Sequence, residues 1–205
     1  MKQCPSMIRL VAALAALLWL APSSPAGSED ASGSDLPLAL TAFAVDMSGV
    51  GPTHAGTIDI TIERWSTDTE RQMLLDTLVE KNSKKLLSAL QGIKPRAGFV
   101  RTSKSLGWDI YFAREQPMAS GGRRIVFATD RPMGFWELRN QPRSTDYEFM
   151  LCEIHLGPDG KGQGKLAGAA KVSWNEDTRT IEIESYGIEP VRLQDVRVVG
   201  KKTKK

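Results

Sequence analysis

The sequence predicts a mainly β (α+β) fold: an antiparallel meander, barrel-like or a sandwich, with a two-helix insert after the second strand. Three observations predict it. Apolar and polar residues alternate with a period of two over successive segments, short polar links of hairpin chemistry join several of them, and one stretch, 67–91, carries helical spacing instead. Closure into a barrel is favoured because it removes exposed strand edges.

The folded part is expected to begin near Leu38, with Leu40–Asp46 as the first strand. Thr57–Arg64 (TIDITIER) is the clearest strand. Ile58, Ile60 and Ile62 point one way and Thr57, Asp59, Thr61 and Glu63 the other, which gives one dry face and one wet face. Thr67 then opens the helical stretch with a capping box, its hydroxyl accepting from the Glu70 amide while the Glu70 side chain reaches back. Leu74, Leu78 and Val79 form the apolar side of the first helix. Asn82-Ser83 interrupts, Leu86, Leu87 and Leu90 start a second helix, and Gly92 and Pro95 end it. The remaining strands are Gly98–Thr102, Trp108–Arg114, Arg124–Asp130, Tyr147–Leu156, Gly164–Trp174, Thr180–Glu184 and Val191–Val199. Gly157-Pro158-Asp159-Gly160 and Asn175-Glu176-Asp177-Thr178 each supply a hairpin link.

Ahead of this domain, Lys2 and Arg9 give a positive start to the apolar run Leu10–Ala21, followed by Ser24-Pro25-Ala26 with small residues at the cleavage positions. This is the three-part pattern of a signal peptide, and its 12 apolar residues are too few to span a bilayer, which takes about 20. The expected organisation is a signal peptide at 1–26, a disordered linker at 27–37, a single β-rich domain at 38–199 and a basic tail at 200–205. The mature chain is then secreted, periplasmic or extracellular, with no transmembrane span. Cys4 leaves with the signal, so Cys152 stands alone and no intramolecular disulfide is expected.

Processing also changes the charge. Lys2 and Arg9 take the 27 basic residues to 25 against 24 acidic, and the four lysines of Lys201–Lys205 bring the body to 21 against 24. The pI of 8.9 therefore reflects the two ends, and no nucleic-acid partner is expected. The lysine tail reads as a solvated end, with weak contact to anionic surfaces as the alternative.

Tests for chemistry return few residues. In Gly157–Lys165 (GPDGKGQGK), Asp159 or His155 stands where a phosphate loop needs its first glycine, and neither Lys161 nor Lys165 precedes Ser or Thr. Cys152 and His155 are three apart on a strand and face opposite sides, so they make no metal pair. Glu153 and His155 share a face and are expected to hydrogen bond. No Gly-x-Ser-x-Gly elbow occurs. No catalytic residue, metal or cofactor is assigned. The unusual composition lies in the centre, where Trp108, Tyr111, Arg124, Arg131, Trp136 and Arg139 mix aromatic and guanidinium groups of the kind that dominate binding surfaces. The alternative is that Trp108, Phe112 and Phe127 are core and the arginines a solvated rim.

Gly122–Arg143 (GRRIVFATDRPMGFWELRNQPR), Glu63-Arg64-Trp65-Ser66-Thr67 and Gly160–Lys165 resemble a group of secreted proteins of environmental bacteria whose function is uncharacterised. The resemblance implies export and a single domain, and carries over no activity and no site residue. The expected function is an exported non-enzymatic β domain that binds a small hydrophobic ligand or an envelope protein. The alternatives are a hydrolase of unfamiliar type and an envelope-associated structural or interaction protein.

Overall fold

The computed structural model describes residues 36–46, 55–81, 83–103, 105–133, 147–186 and 189–200. The signal-like segment, the linker up to residue 35, the lysine tail and two of the candidate binding residues, Trp136 and Arg139, lie outside them; the last linker residues, Leu36 and Pro37, are described, and Leu36 packs against the core.

Of the two architectures expected, the chain adopts the barrel. Its strands are β1 (Leu38–Val45), β2 (Ala55–Ile62), β3 (Gly98–Thr102), β4 (Trp108–Pro117), β5 (Arg123–Thr129), β6 (Phe149–Leu156), β7 (Lys161–Asn175), β8 (Thr180–Ser185) and β9 (Val191–Val198). The antiparallel order β6-β5-β4-β3-β2-β1-β9-β7 closes through a further β6–β7 pairing, giving eight strands in the ring. The ring departs from a simple meander at one place. The first half of β7 sits between β6 and β9, while its second half, from Ala170 to Asn175, pairs with β8 as a hairpin outside the ring. Asn175 Oδ1 caps that hairpin by accepting from the amides of Asp177 and Thr178, both at 3.0 Å.

An eight-stranded ring is just wide enough for side chains to fill it, and here they do. Leu40, Ile60, Val100, Ile110, Ile125, Ile154, Leu193 and Val196 are among the buried residues of one continuous cluster, with Phe127 and Met150 among them. Alternation supplies most of these positions. Where it slips, a bulge accounts for it. Leu193 and Val196 are three apart yet share the core, because Asp195 adopts a left-handed φ of 52° where the β1–β9 register shifts. The glycine run after β6 serves the same packing. A Cβ on Gly162 would strike the His155 carbonyl oxygen, so β7 approaches β6 this closely only with glycine there.

Between β2 and β3 the chain leaves the ring for α1 (Asp68–Lys81) and α2 (Ser83–Gly92). The capping box forms as expected, with the Thr67 amide donating to Glu70 Oε2 at 2.9 Å and the Glu70 amide to Thr67 Oγ1 at 3.1 Å. The residues around it tie the insert down. The Arg64 guanidinium donates to both Glu70 carboxylate oxygens (3.0 and 2.9 Å) and to the Pro95 carbonyl (2.8 and 2.6 Å), joining the start of α1 to the segment after α2. Ser66 exchanges bonds with the backbone of Ala113 on β4, and Glu63 pairs with Arg96 at 3.1 Å. Glu63–Thr67 is thus the anchor of the helical insert.

Candidate functional site

The helical pair lies against the outside of the ring, over β4–β6 and the β7–β8 hairpin. Leu78, Leu86, Leu90 and Ile93 form a second buried cluster with Ala128, Phe149 and Val172, which point outward from the strands. Leu74 joins this face at its edge, but Val79 does not: it is exposed, because five residues turn it about 140° round the helix from Leu74. The wall is therefore dry on both sides, and five consecutive residues of β5, from Ile125 to Thr129, are buried.

A bulge decides what the outer face presents. Ile110 pairs with Thr129 and Phe112 with Ala128, leaving Tyr111 extra between them. Strict alternation would have put Phe112 inside with Trp108 and Phe127. Instead it packs outside with Tyr111, among the helix-facing residues, while Trp108 and Phe127 belong to the barrel interior.

Beneath the helices the contact is incomplete. A cavity of about 140 Å³ opens between Leu74, Leu75, Leu78, Leu86 and Leu90 on one side and Phe112, Val126, Ala128, Phe149 and Leu151 on the other. Val172, Ile181 and Ile183 of the β7–β8 hairpin close its flank. The space exists because the wall carries small residues, Val126 and Ala128, beneath the leucines. Its polar lining residues are Arg71, Arg114 and Gln116.

The strand register orders this outer face into three rows. Phe112, Ala128, Leu151 and Ala167 form one, Arg114, Val126, Glu153 and Lys165 the next, and Gln116, Arg124, His155 and Gln163 the third. Polarity rises from row to row. Arg114 Nη1 lies 2.6 Å from Asp68 Oδ1, and Asp68 is highly exposed. Glu153 Oε1 lies 2.7 Å from both Arg124 Nε and His155 Nε2. The hydrogen bond from Arg114 holds the Asp68 carboxyl below the usual carboxylate range, and the Arg114 and Arg71 charges act in the same direction. Arg71 is half-buried, and among the described residues its guanidinium forms no ion pair.

The residues singled out in sequence divide between two places. Arg124, Glu153 and His155 meet in the polar row just beyond the cavity mouth. Trp108, Tyr111 and Arg131 lie toward the opposite end of β4 and β5. Trp108 Nε1 donates to the Pro132 carbonyl (3.2 Å) and Arg131 Nη2 to that of Gly107 (2.9 Å), so both fasten loops. Tyr111 packs under α2; burial, with the Asp130 and Asp109 charges, pushes its phenol up. Cys152 faces the interior, where burial pushes the thiol well up, and His155 is half-exposed on the opposite face, as their spacing predicted. Among the described residues no three or more His, Cys, Asp and Glu side chains are placed to hold a metal ion. No helix among them is long and apolar enough to cross a membrane.

Arg71, Arg114 and Gln116 were missed in the sequence. Alternation could not have found Arg114 and Gln116, because the bulge at Tyr111 is what turns them outward with Phe112.

No protein-family model, no curated protein and no solved structure matches this chain. The site rests on its own geometry.

Proposed function

We propose that the protein is an exported, non-enzymatic binding module that holds the apolar part of a small molecule between its helical pair and the outer barrel wall. The observation that carries this reading is the cavity itself, lined mostly by apolar residues with Arg71, Arg114 and Gln116 among them. Ligand sites commonly have this form, a hydrophobic hollow with a few placed polar groups. The buried side chains inside the ring pack into one continuous cluster, and the outer cavity offers room beside it, which supports this reading. Its size matches the roughly 150 Å³ apolar cavities that take up a benzene ring. The pairing of Glu153 with both Arg124 and His155 favours a structural role for that polar row, since it gives the histidine a partner but no adjacent nucleophile.

The test is titration with 1-octanol, a neutral apolar probe, read by calorimetry, together with native mass spectrometry of the purified protein. The wild-type chain is expected to bind one octanol, and Ala128→Leu, which fills the hollow from the wall, to bind at least tenfold more weakly without loss of fold. Failure of the wild-type protein to bind octanol, with no small molecule retained in the mass spectrum, would end this reading.

A further inference from the structure

Resting on that cavity reading, we propose that the natural ligand is a single-chain carboxylate. Its alkyl tail occupies the cavity, and its head is taken by Arg71 and Arg114 at the mouth.

The chemistry of the lining argues for an anion. Leucine, valine, phenylalanine and alanine accept a tail of any amphiphile, and they do not choose its head. The choice falls to the polar residues of the lining, Arg71, Arg114 and Gln116. Guanidinium matches carboxylate geometry with paired N–H donors and keeps its charge at any physiological pH. Arg124 adds a third cation in the row beyond. Against these three, the ion pairs among the described residues set Asp68 on Arg114, and Glu153 between Arg124 and His155. The mouth thus keeps a positive excess.

Asp68 indicates what the mouth accepts. Its carboxylate sits on Arg114 at 2.6 Å from the solvent side, with 88% of its side chain exposed. A group so exposed gains little from the pair, so little is lost when Asp68 gives up its place on Arg114. It is a resident carboxylate in the position a ligand carboxylate would take. A ligand head therefore replaces one charge partner by another, while Arg71 gains a partner that it lacks among the described residues. The cavity volume of about 140 Å³, comparable to hollows that hold one ring, limits the tail to a short alkyl chain.

The experiment compares octanoate with 1-octanol at pH 7 by calorimetry, on the whole processed chain. Wild-type protein is expected to bind octanoate at least tenfold more tightly than octanol. In Arg71→Gln/Arg114→Gln the octanoate affinity should fall to that of octanol while octanol binding stays unchanged, which also shows that the variant is folded. Asp68→Asn leaves both arginines and removes their competitor, so it should tighten octanoate severalfold and leave octanol as it was. Raised salt should weaken octanoate alone. If octanol binds and octanoate binds no better, the head-group assignment is overturned and the cavity reading stands. If neither binds, both fall. An Asp68→Asn protein with unchanged octanoate affinity also overturns the assignment of Arg114 as the receiving group.

Discussion

The β4–β6 wall has two dry faces, and only one of them is fully packed. On the inner face, Ile110, Ile125, Phe127 and Ile154 meet residues arriving from every other strand of the ring, so space around the barrel axis is filled from all directions. On the outer face, two helices lie on a convex surface. They touch it through Leu78, Leu86 and Leu90, and where the wall residues are as small as Ala128 the gap is not closed. A closed sheet can complete its packing by geometry alone. A helix pair on the back of a sheet can do so only if the wall residues are large enough, and here they are not. The difference separates the part of the molecule that holds the fold from the part with room for a ligand.

The largest effect that would break this comparison is on the inner face. Phe127→Ala is expected to destabilise the protein by about 3 to 5 kcal/mol, the range for deleting a buried phenylalanine side chain from a packed core. Urea unfolding of the two proteins gives the difference directly. A loss under 1 kcal/mol would mean that the ring is loosely filled and that the contrast between the faces is wrong.

A matched pair of substitutions sharpens it. Ala113 and Ala128 lie on neighbouring strands and point to opposite sides of the wall. Enlarging Ala113 to leucine has no room to use and is expected to cost about 1 to 3 kcal/mol through forced rearrangement. The same enlargement of Ala128 projects into the cavity and should leave stability within about 0.5 kcal/mol of wild type, or raise it. Equal costs at the two sites would show that the outer face is as tightly packed as the inner one.

The two faces also differ in how far the sequence announces them. Ile58, Ile60 and Ile62 alternate with Thr57, Asp59 and Thr61, and no tertiary information is needed to assign their sides. The capping box at Thr67 and Glu70 is equally local. Phe112 was not readable, because a bulge adds one residue to a strand without altering its composition, and Tyr111 and Phe112 look alike to any pattern of polarity. The cavity was less readable still. It depends on which helical leucines stand over Val126 and Ala128, a relation between segments some 50 residues apart in sequence. Arg71 and Arg114 meet at the same mouth for the same reason. The aromatic and arginine residues that stood out in composition included Trp108 and Arg131, whose polar atoms fasten loops at the other end of the wall.

The smallest effect concerns how the outer layer is held on. Burial pushes the Glu70 carboxyl up, but hydrogen bonds from the Arg64 guanidinium and the Thr67 amide outweigh it and leave it below the usual carboxylate range. Asp68 is shifted the same way by its bond from Arg114. A carboxyl whose pKa is lower folded than unfolded adds stability that is fully present above the unfolded value, near about 4.3 for Glu, and is lost as pH falls through the folded one. Glu70→Gln is therefore expected to lower stability at pH 7 by about 1 kcal/mol, once solvent screening of this partly exposed pair is allowed for. The gap to wild type should narrow as both proteins are taken below about pH 4. Amide exchange should place the loss in α1 and α2, leaving β1 and β2 protected, since Arg64 and Glu70 tie down the insert and not the ring. A gap that stays constant from pH 7 to pH 3 would show that the Arg64–Glu70 charge pair does not hold the helices to the wall.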